Sequence, residues 1–142
     1  GEASLQASEQ ANYAREILKS KNHQPVAILS GGETTVTIAP TIQGRGGRCA
    51  EFLLALYDAT QDLNCLSGLA ADTDGIDGTE NNAGAYFDAT IIAKIHELKL
   101  NSQSFLKSHD SYGFFQKVDG LVVTGPTLTN VNDFRILLLN VD

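Results

Sequence analysis

Pro25-Val26-Ala27-Ile28-Leu29-Ser30-Gly31-Gly32-Glu33-Thr34-Thr35-Val36-Thr37-Ile38-Ala39 is the stretch on which the fold reading turns. After a polar turn at Lys21-Asn22-His23-Gln24, Val26 to Leu29 is a short continuous apolar run. That is the pattern of a strand buried on both faces. It stops at Ser30-Gly31-Gly32, and Thr34 to Ala39 then alternates with β-branched residues, the pattern of a second strand. Two strands joined across a tight glycine turn predict a hairpin, hence antiparallel pairing within the sheet.

Working outward, residues 4–20 read as a helix with a thin apolar stripe of Leu5, Tyr13, Ile17 and Leu18, backed by alanines as helix formers. Glu51 to Tyr57 is strongly helical, and Cys65 to Ala71 reads as a buried strand. Residues 79–85 suit a short helix. Asp88 is a natural N-cap for a helix from Ala89 to Leu98. Asn101 or Ser102, and Asp110 or Ser111, would cap two more helices, through Lys107 and Lys117. Leu121 to Val123 and Phe134 to Leu139 complete the strands. Strands alternate with helices, so the class is α/β. With the hairpin, the expected fold is a three-layer α/β/α domain with a mixed sheet, spanning 1–142 as a single domain.

Composition limits the function classes. A chain of 142 residues with 42% hydrophobic and 19% charged residues has globular proportions. Its net charge is −7, with four arginines and six lysines. Nucleic-acid binding through a basic face is therefore disfavoured, and so is a basic membrane-surface helix. No apolar run approaches the roughly 20 residues of a membrane span. Cys49 and Cys65 have no metal-site spacing and read as two buried thiols, with the cytoplasm as the default compartment. A chain that opens Gly1-Glu2-Ala3 and contains no Met reads as part of a larger product.

Four loops gather the chemistry-bearing residues at strand ends, where open α/β sheets place ligands. Ser30-Gly31-Gly32-Glu33 lets backbone N–H groups approach a ligand closely and adds a carboxylate; taken alone it is equally a plain turn. Gly44-Arg45-Gly46-Gly47-Arg48 holds half of the arginines at a helix start, and we read it as an anion site. It matches neither the P-loop nor the dinucleotide fingerprint. Asp72-Thr73-Asp74-Gly75-Ile76-Asp77-Gly78 places three carboxylates in six positions. They call either for a cation such as Mg2+ or for a series of Asx-turns in which each Asp caps a local N–H. Thr124-Gly125-Pro126-Thr127-Leu128-Thr129-Asn130-Val131-Asn132-Asp133 carries short hydroxyls and amides suited to an acid or phosphate, or to a polar turn. The scattered histidines His23, His96 and His109 have no metal spacing. Tyr112-Gly113-Phe114-Phe115 reads as core.

Taken in order, Ser30–Val36, Gly44–Arg48, Ala71–Gly78, Asp110-Ser111-Tyr112-Gly113-Phe114-Phe115 and the run from Thr124 to Asp133 resemble the C-terminal domain of the class II glycerate 2-kinases. This is the leucine-rich multi-organism fragment domain, of a family also labelled hydroxypyruvate reductase. The resemblance runs from about Glu2 to Leu139. The chain departs from the pattern at Cys49-Ala50, where Asn-Gln is common, and at His109, where Asn is common. The resemblance implies a two-domain kinase whose N-terminal domain supplies much of the nucleotide site and a catalytic Lys. It implies ATP-dependent phosphorylation of D-glycerate at the 2-hydroxyl with Mg2+, giving 2-phosphoglycerate.

On that reading Arg48, Asp72 and Asp74 are the catalytic candidates, with Asp74 as the metal ligand. Ser30, Gly31, Gly32, Glu33, Gly44, Arg45, Gly46, Gly47, Thr127, Asn130 and Asn132 would line the substrate site. The partner would be the absent N-terminal domain, with a homodimer left open, and these residues alone would be inactive. The alternatives are a hydroxypyruvate reductase and a non-catalytic small-anion module.

Overall fold

The structure is a computed structural model that describes residues 1–20, 23–38, 41–42 and 44–140. Helix α1 (Ala3–Lys19) is followed by β1 (Val26–Gly32), α2 (Arg48–Ala59), β2 (Leu66–Asp72) and β3 (Gly84–Phe87). Then come α3 (Ala89–Glu97), α4 (Ser102–Lys107), α5 (Ser111–Lys117), β4 (Leu121–Val122) and β5 (Asp133–Leu139).

The five strands form one sheet in the order β1-β5-β2-β3-β4. The α/β class holds, but the sheet is antiparallel in every strand pair rather than mixed. The hairpin expected at Gly31-Gly32 is absent. The antiparallel partner of β1 is β5, in the register Val26↔Leu139 to Gly32↔Asp133. Thr34–Ile38 instead runs beside the N-terminus, through a parallel bridge of Thr35 to Glu2 and a bond from Thr37 N–H to Glu2 Oε1 of 2.9 Å. Its β-branched pattern is thus met by an edge contact rather than by a ladder. Lys21, Asn22 and Ala39, placed by the sequence reading in a turn and at a strand end, lie outside the described residues.

Helix α2 is the axis of the core. Every residue from Cys49 to Tyr57 is buried, the mark of a helix enclosed on all sides. Helix α1 packs on it through Ala3, Ala7, Ala11 and Ala14, all buried, while Leu5 and Tyr13 of the predicted stripe face solvent. Alanines at this spacing let two helix axes approach, so the small residues form the contact and the large ones do not. Phe87, Phe114 and Tyr57 meet edge-on or tilted beneath α2, which confirms Tyr112-Gly113-Phe114-Phe115 as core. The predicted caps hold: Asp88, Asn101 and Asp110 each accept a first-turn N–H, from Ile91, Ser104 and Gly113. Residues 79–83 form a turn and bends, and residues 84–87 form β3, in place of the expected short helix. Ala70 O would lie 1.9 Å from any Cβ at position 84, so only glycine lets that strand pair form.

The sheet has two unlike faces. Leu66, Gly68 and Ala70 of β2, with Leu137 and Leu139 of β5, point into the helical layer. The alternate residues form an open face, where Leu29 is 64% and Phe134 is 45% exposed. Among the described residues one helical layer covers one face, where three layers were expected. No helix among the described residues is long and apolar enough to cross a membrane. Cys49 and Cys65 are free thiols, and Cys65 is exposed rather than buried. It sits at a positive φ in the turn that enters β2.

Candidate active site

The sheet register draws the site together. Gly32 of β1 and Asp72 of β2 both stand opposite Asp133 of β5, and one step inward Ser30 and Ala70 both stand opposite Arg135. The ends of β1 and β2 and the start of β5 therefore meet at one edge of the sheet, where α2 begins with Arg48.

Arg48 is the hub. Its Nε donates to Asp133 Oδ1 over 2.8 Å and its Nη2 to Asp72 Oδ2 over 2.6 Å. Glu33 Oε1 lies 3.8 Å from the same Nη2. Burial works against the Arg48 charge, but Asp133 and Asp72 more than offset it, and Arg48 is held more basic than an ordinary arginine. Burial pushes the Asp72 carboxyl up, opposed by the Asp74 N–H bond and the charge of Arg48. The Arg48 side chain remains 29% exposed, and Nη1 has no acceptor within hydrogen-bonding distance among the described residues.

Asp133 also lies 3.4 Å from Nη2 of the buried Arg135. Arg135 in turn donates from Nη1 to Gln6 Oε1 over 2.7 Å and covers the Phe52 ring at 4.7 Å. The structure brings together Arg48, Asp72 and Glu33, which the sequence reading named as candidates, and adds Asp133, Arg135 and Gln6, which it did not. A signal was present: Asp133 and Arg135 are two charges on one face of an otherwise apolar strand.

The anion site expected at the helix start is filled from within. Asp77, only 1% exposed, accepts from Cys49 N–H (2.9 Å) and Ala50 N–H (2.8 Å), so the acidic loop itself caps α2. Burial raises the Asp77 carboxyl to about 6, against those two bonds. Burial and the nearby Asp77 charge push the Cys49 thiol far above the usual range, so it is not a nucleophile.

Gly46 and Gly47 exist for this fit. Any Cβ at Gly47 would lie 2.1 Å from Asp77 Oδ1, and one at Gly46 would lie 2.1 Å from Ser111 Oγ. Arg45 is drawn away from Arg48. Its N–H donates to Asp110 Oδ1 and its guanidinium lies 4.9 Å from the Tyr112 ring centre. Gly44 packs against the Ser108 and His109 carbonyls.

Asp72 and Asp74 take the Asx-turn form. Asp72 Oδ1 accepts Asp74 N–H (3.2 Å), and Asp74 Oδ1 accepts Ile76 N–H (2.8 Å). The fourth loop folds onto this one. Thr73 Oγ1 donates to Asn132 O (2.7 Å) and accepts Val131 N–H (2.9 Å), while Thr127 N–H donates to Asp74 O (3.0 Å). Thr127 Oγ1 also donates to Thr73 O. Asn130 Oδ1 accepts Asn132 N–H (3.0 Å), leaving the loop surface exposed. Among the described residues no group of three or more His, Cys, Asp or Glu side chains is placed to hold a metal ion.

A family model described as "MOFRL family" matches residues 26–133, which takes in every one of these loops. The chain belongs to the MOFRL family. An Agrobacterium vitis protein that carries the name hydroxypyruvate reductase is 46% identical over 115 residues, covering 81% of this MOFRL chain and 26% of its own length. A Pyrococcus horikoshii protein named glycerate 2-kinase is 43% identical over 115 residues, covering 81% of this chain and 26% of its own. The crystal structure of a glycerate kinase from Thermotoga maritima superposes with a TM-score of 0.86 at 33% identity, over 97% of this chain and 33% of that one. This MOFRL domain thus spans about a quarter of the length of the curated relatives it matches.

Proposed function

We propose that this MOFRL domain is the C-terminal part of a two-domain, ATP-dependent glycerate 2-kinase, closing on an N-terminal domain that carries the nucleotide. In that role it would help transfer phosphate to the 2-hydroxyl of D-glycerate, giving 2-phosphoglycerate. The observation that carries the reading is the convergence of Glu33, Arg48, Asp72 and Asp133 at one sheet edge, in a chain similar to proteins named glycerate kinase. Phosphoryl transfer depends on positioning and charge neutralisation more than on covalent help from the protein.

Asp133 and Asp72 fix the Arg48 fork, and its free Nη1 turns to the glycerate carboxylate or the transferring phosphoryl group. Glu33 and the hydroxyls and amides of Thr127, Asn130 and Asn132 orient the rest of the substrate. Arg45, stacked on Tyr112, takes a peripheral part. Mg2+, when bound, would neutralise phosphate charge. The residue offered to it here is Asp74, a single carboxylate, as suits an ion held mainly by phosphates and water. Two free thiols support a cytoplasmic setting.

The test is a chimera in which these 142 residues replace the matching segment of the Pyrococcus horikoshii glycerate 2-kinase. ATP with D-glycerate should yield 2-phosphoglycerate. NADH oxidation with hydroxypyruvate and no ATP consumption would establish the reductase reading suggested by the Agrobacterium name. In an active chimera, Arg48→Ala should lower kcat/KM by roughly two or more decades, and a change under about threefold would remove Arg48 from the reaction. Asp74→Asn should raise the Mg2+ requirement; an unchanged requirement removes that ligand.

A further inference from the structure

The face of the sheet turned away from the helices carries no charge. By register it presents Leu29 of β1, Phe134, Ile136 and Leu138 of β5, Leu69 of β2 and Tyr86 of β3, with only small residues between them. In a chain of net charge −7, a charge-free sheet face is the pattern of a surface that is covered in use. From strand spacing and rise the three seven-residue strands and β3 present about 400 Å2.

We propose that this face seats an amphipathic helix, Leu-, Ile- and Val-rich on one side, supplied by polypeptide outside residues 1–142. Three observations favour that occupant over a second copy. The same fold is found in a chain of which this domain covers 33%, so two thirds of that chain lies outside the matched fold. The face offers about half of the ~800 Å2 that each partner of a standard interface buries, a shortfall that a covalently attached layer tolerates because it loses no translational freedom. Two copies would also bring −7 against −7. Helices on the second face would complete the three layers that α/β sheets commonly take. The inference rests on the fold and the length of the relatives, not on the kinase reading, and it is tested without measuring activity.

The test is thiol accessibility. In a Cys65→Asn background, which leaves the buried Cys49 as the remaining native thiol, Leu29→Cys and Phe134→Cys report on the face and Glu97→Cys on exposed α3. In the 142-residue chain all three should react with Ellman's reagent at free-thiol rates. In the chimera the two face thiols should slow by about 100-fold or more, as for groups reached only by local opening, while Glu97→Cys keeps its rate. Face thiols that stay fast in a chimera folded by circular dichroism overturn the proposal, even if the chimera is an active kinase. A second measurement needs no graft. Sedimentation equilibrium of the 142-residue chain should give a monomer, and a concentration-dependent dimer abolished by Leu29→Lys with Ile136→Lys would overturn the proposal in favour of a second copy.

Discussion

Arg48 donates from Nε to Asp133 Oδ1 over 2.8 Å, tying the first residue of α2 to the first residue of β5 across 85 positions of sequence. The Asp133 side chain is fully buried, so losing this partner leaves a buried charge answered more weakly, by the more distant Arg135 and the Cys49 thiol. Arg48→Ala should therefore destabilise the domain by roughly 3 kcal/mol, the lower part of the range for broken buried pairs, because Arg48 is partly solvated. In urea unfolding the double variant with Asp133→Asn should recover part of that loss. Strictly additive losses would mean the two residues are not coupled.

Asp77 sets an unusual pH dependence. Its carboxyl is raised from 3.8 to about 6 in the folded chain, so the folded state holds the proton more tightly than the unfolded one. The Asp77 contribution to stability therefore falls as pH rises through the window from about 4 to about 6, by on the order of 3 kcal/mol, and is flat above it. Asp77→Asn keeps one of the two oxygen acceptors, at a pH-independent cost for the α2 N–H left facing the amide, and cannot ionise. Unfolding free energies at pH 4, 5, 6 and 7 should show the wild type losing stability relative to this variant as pH rises to 6, then running parallel. A constant difference across that range would refute the assignment.

Gly47 is held to glycine by Asp77. A methyl at Gly47 would lie 2.1 Å from Asp77 Oδ1 and 2.4 Å from the Asp77 carbonyl carbon, so rotating the side chain cannot relieve it. Gly47→Ala should cost more than about 2 kcal/mol, through overpacking together with a lost cap. At Gly125, where a Cβ meets nothing within 4 Å and only the positive φ matters, the same change should cost about 1 kcal/mol. Equal melting temperatures for the two variants would contradict this account.

Glu51 is buried in the first turn of α2 and lies 2.8 Å from His109 Nδ1. Burial raises its carboxyl, and the His109 bond opposes that rise. His109→Ala removes the opposing bond. The melting temperature should therefore fall more at pH 7, where Glu51 must ionise without that bond, than at pH 4, where it keeps its proton. His109→Asn, which keeps a donor, should recover most of the loss.

What was legible in the sequence was local. The caps at Asp88, Asn101 and Asp110 and the helix around Phe52 follow from residue spacing alone, but the apolar run of β1, read as a strand buried on both faces, is an edge strand with Ala27 and Leu29 exposed. The hairpin failed because the alternation of Thr34–Ile38 reveals extended backbone but not its partner, and the partner of β1 lies at the far end of the chain. The site divided along the same line. Arg48, Asp72 and Glu33 could be named from their loops. That Asp77 would occupy the helix start, and that Asp133 and Arg135 would sit beneath Arg48, depends on a register no short window contains.

The position of β5 also governs how the chain can fold. It is the last strand in sequence yet lies between β1 and β2, so β1 has no partner and β2 has only β3 until residues 133–139 are available. Helices α1 and α2 can associate early, but the sheet closes only when the C-terminal segment inserts between two waiting strands. Such non-local closure is slow. During synthesis Val26–Gly32 and Leu66–Asp72 would wait as unpaired edges, and nascent chains stalled before Asp133 should be the species most prone to capture by chaperones.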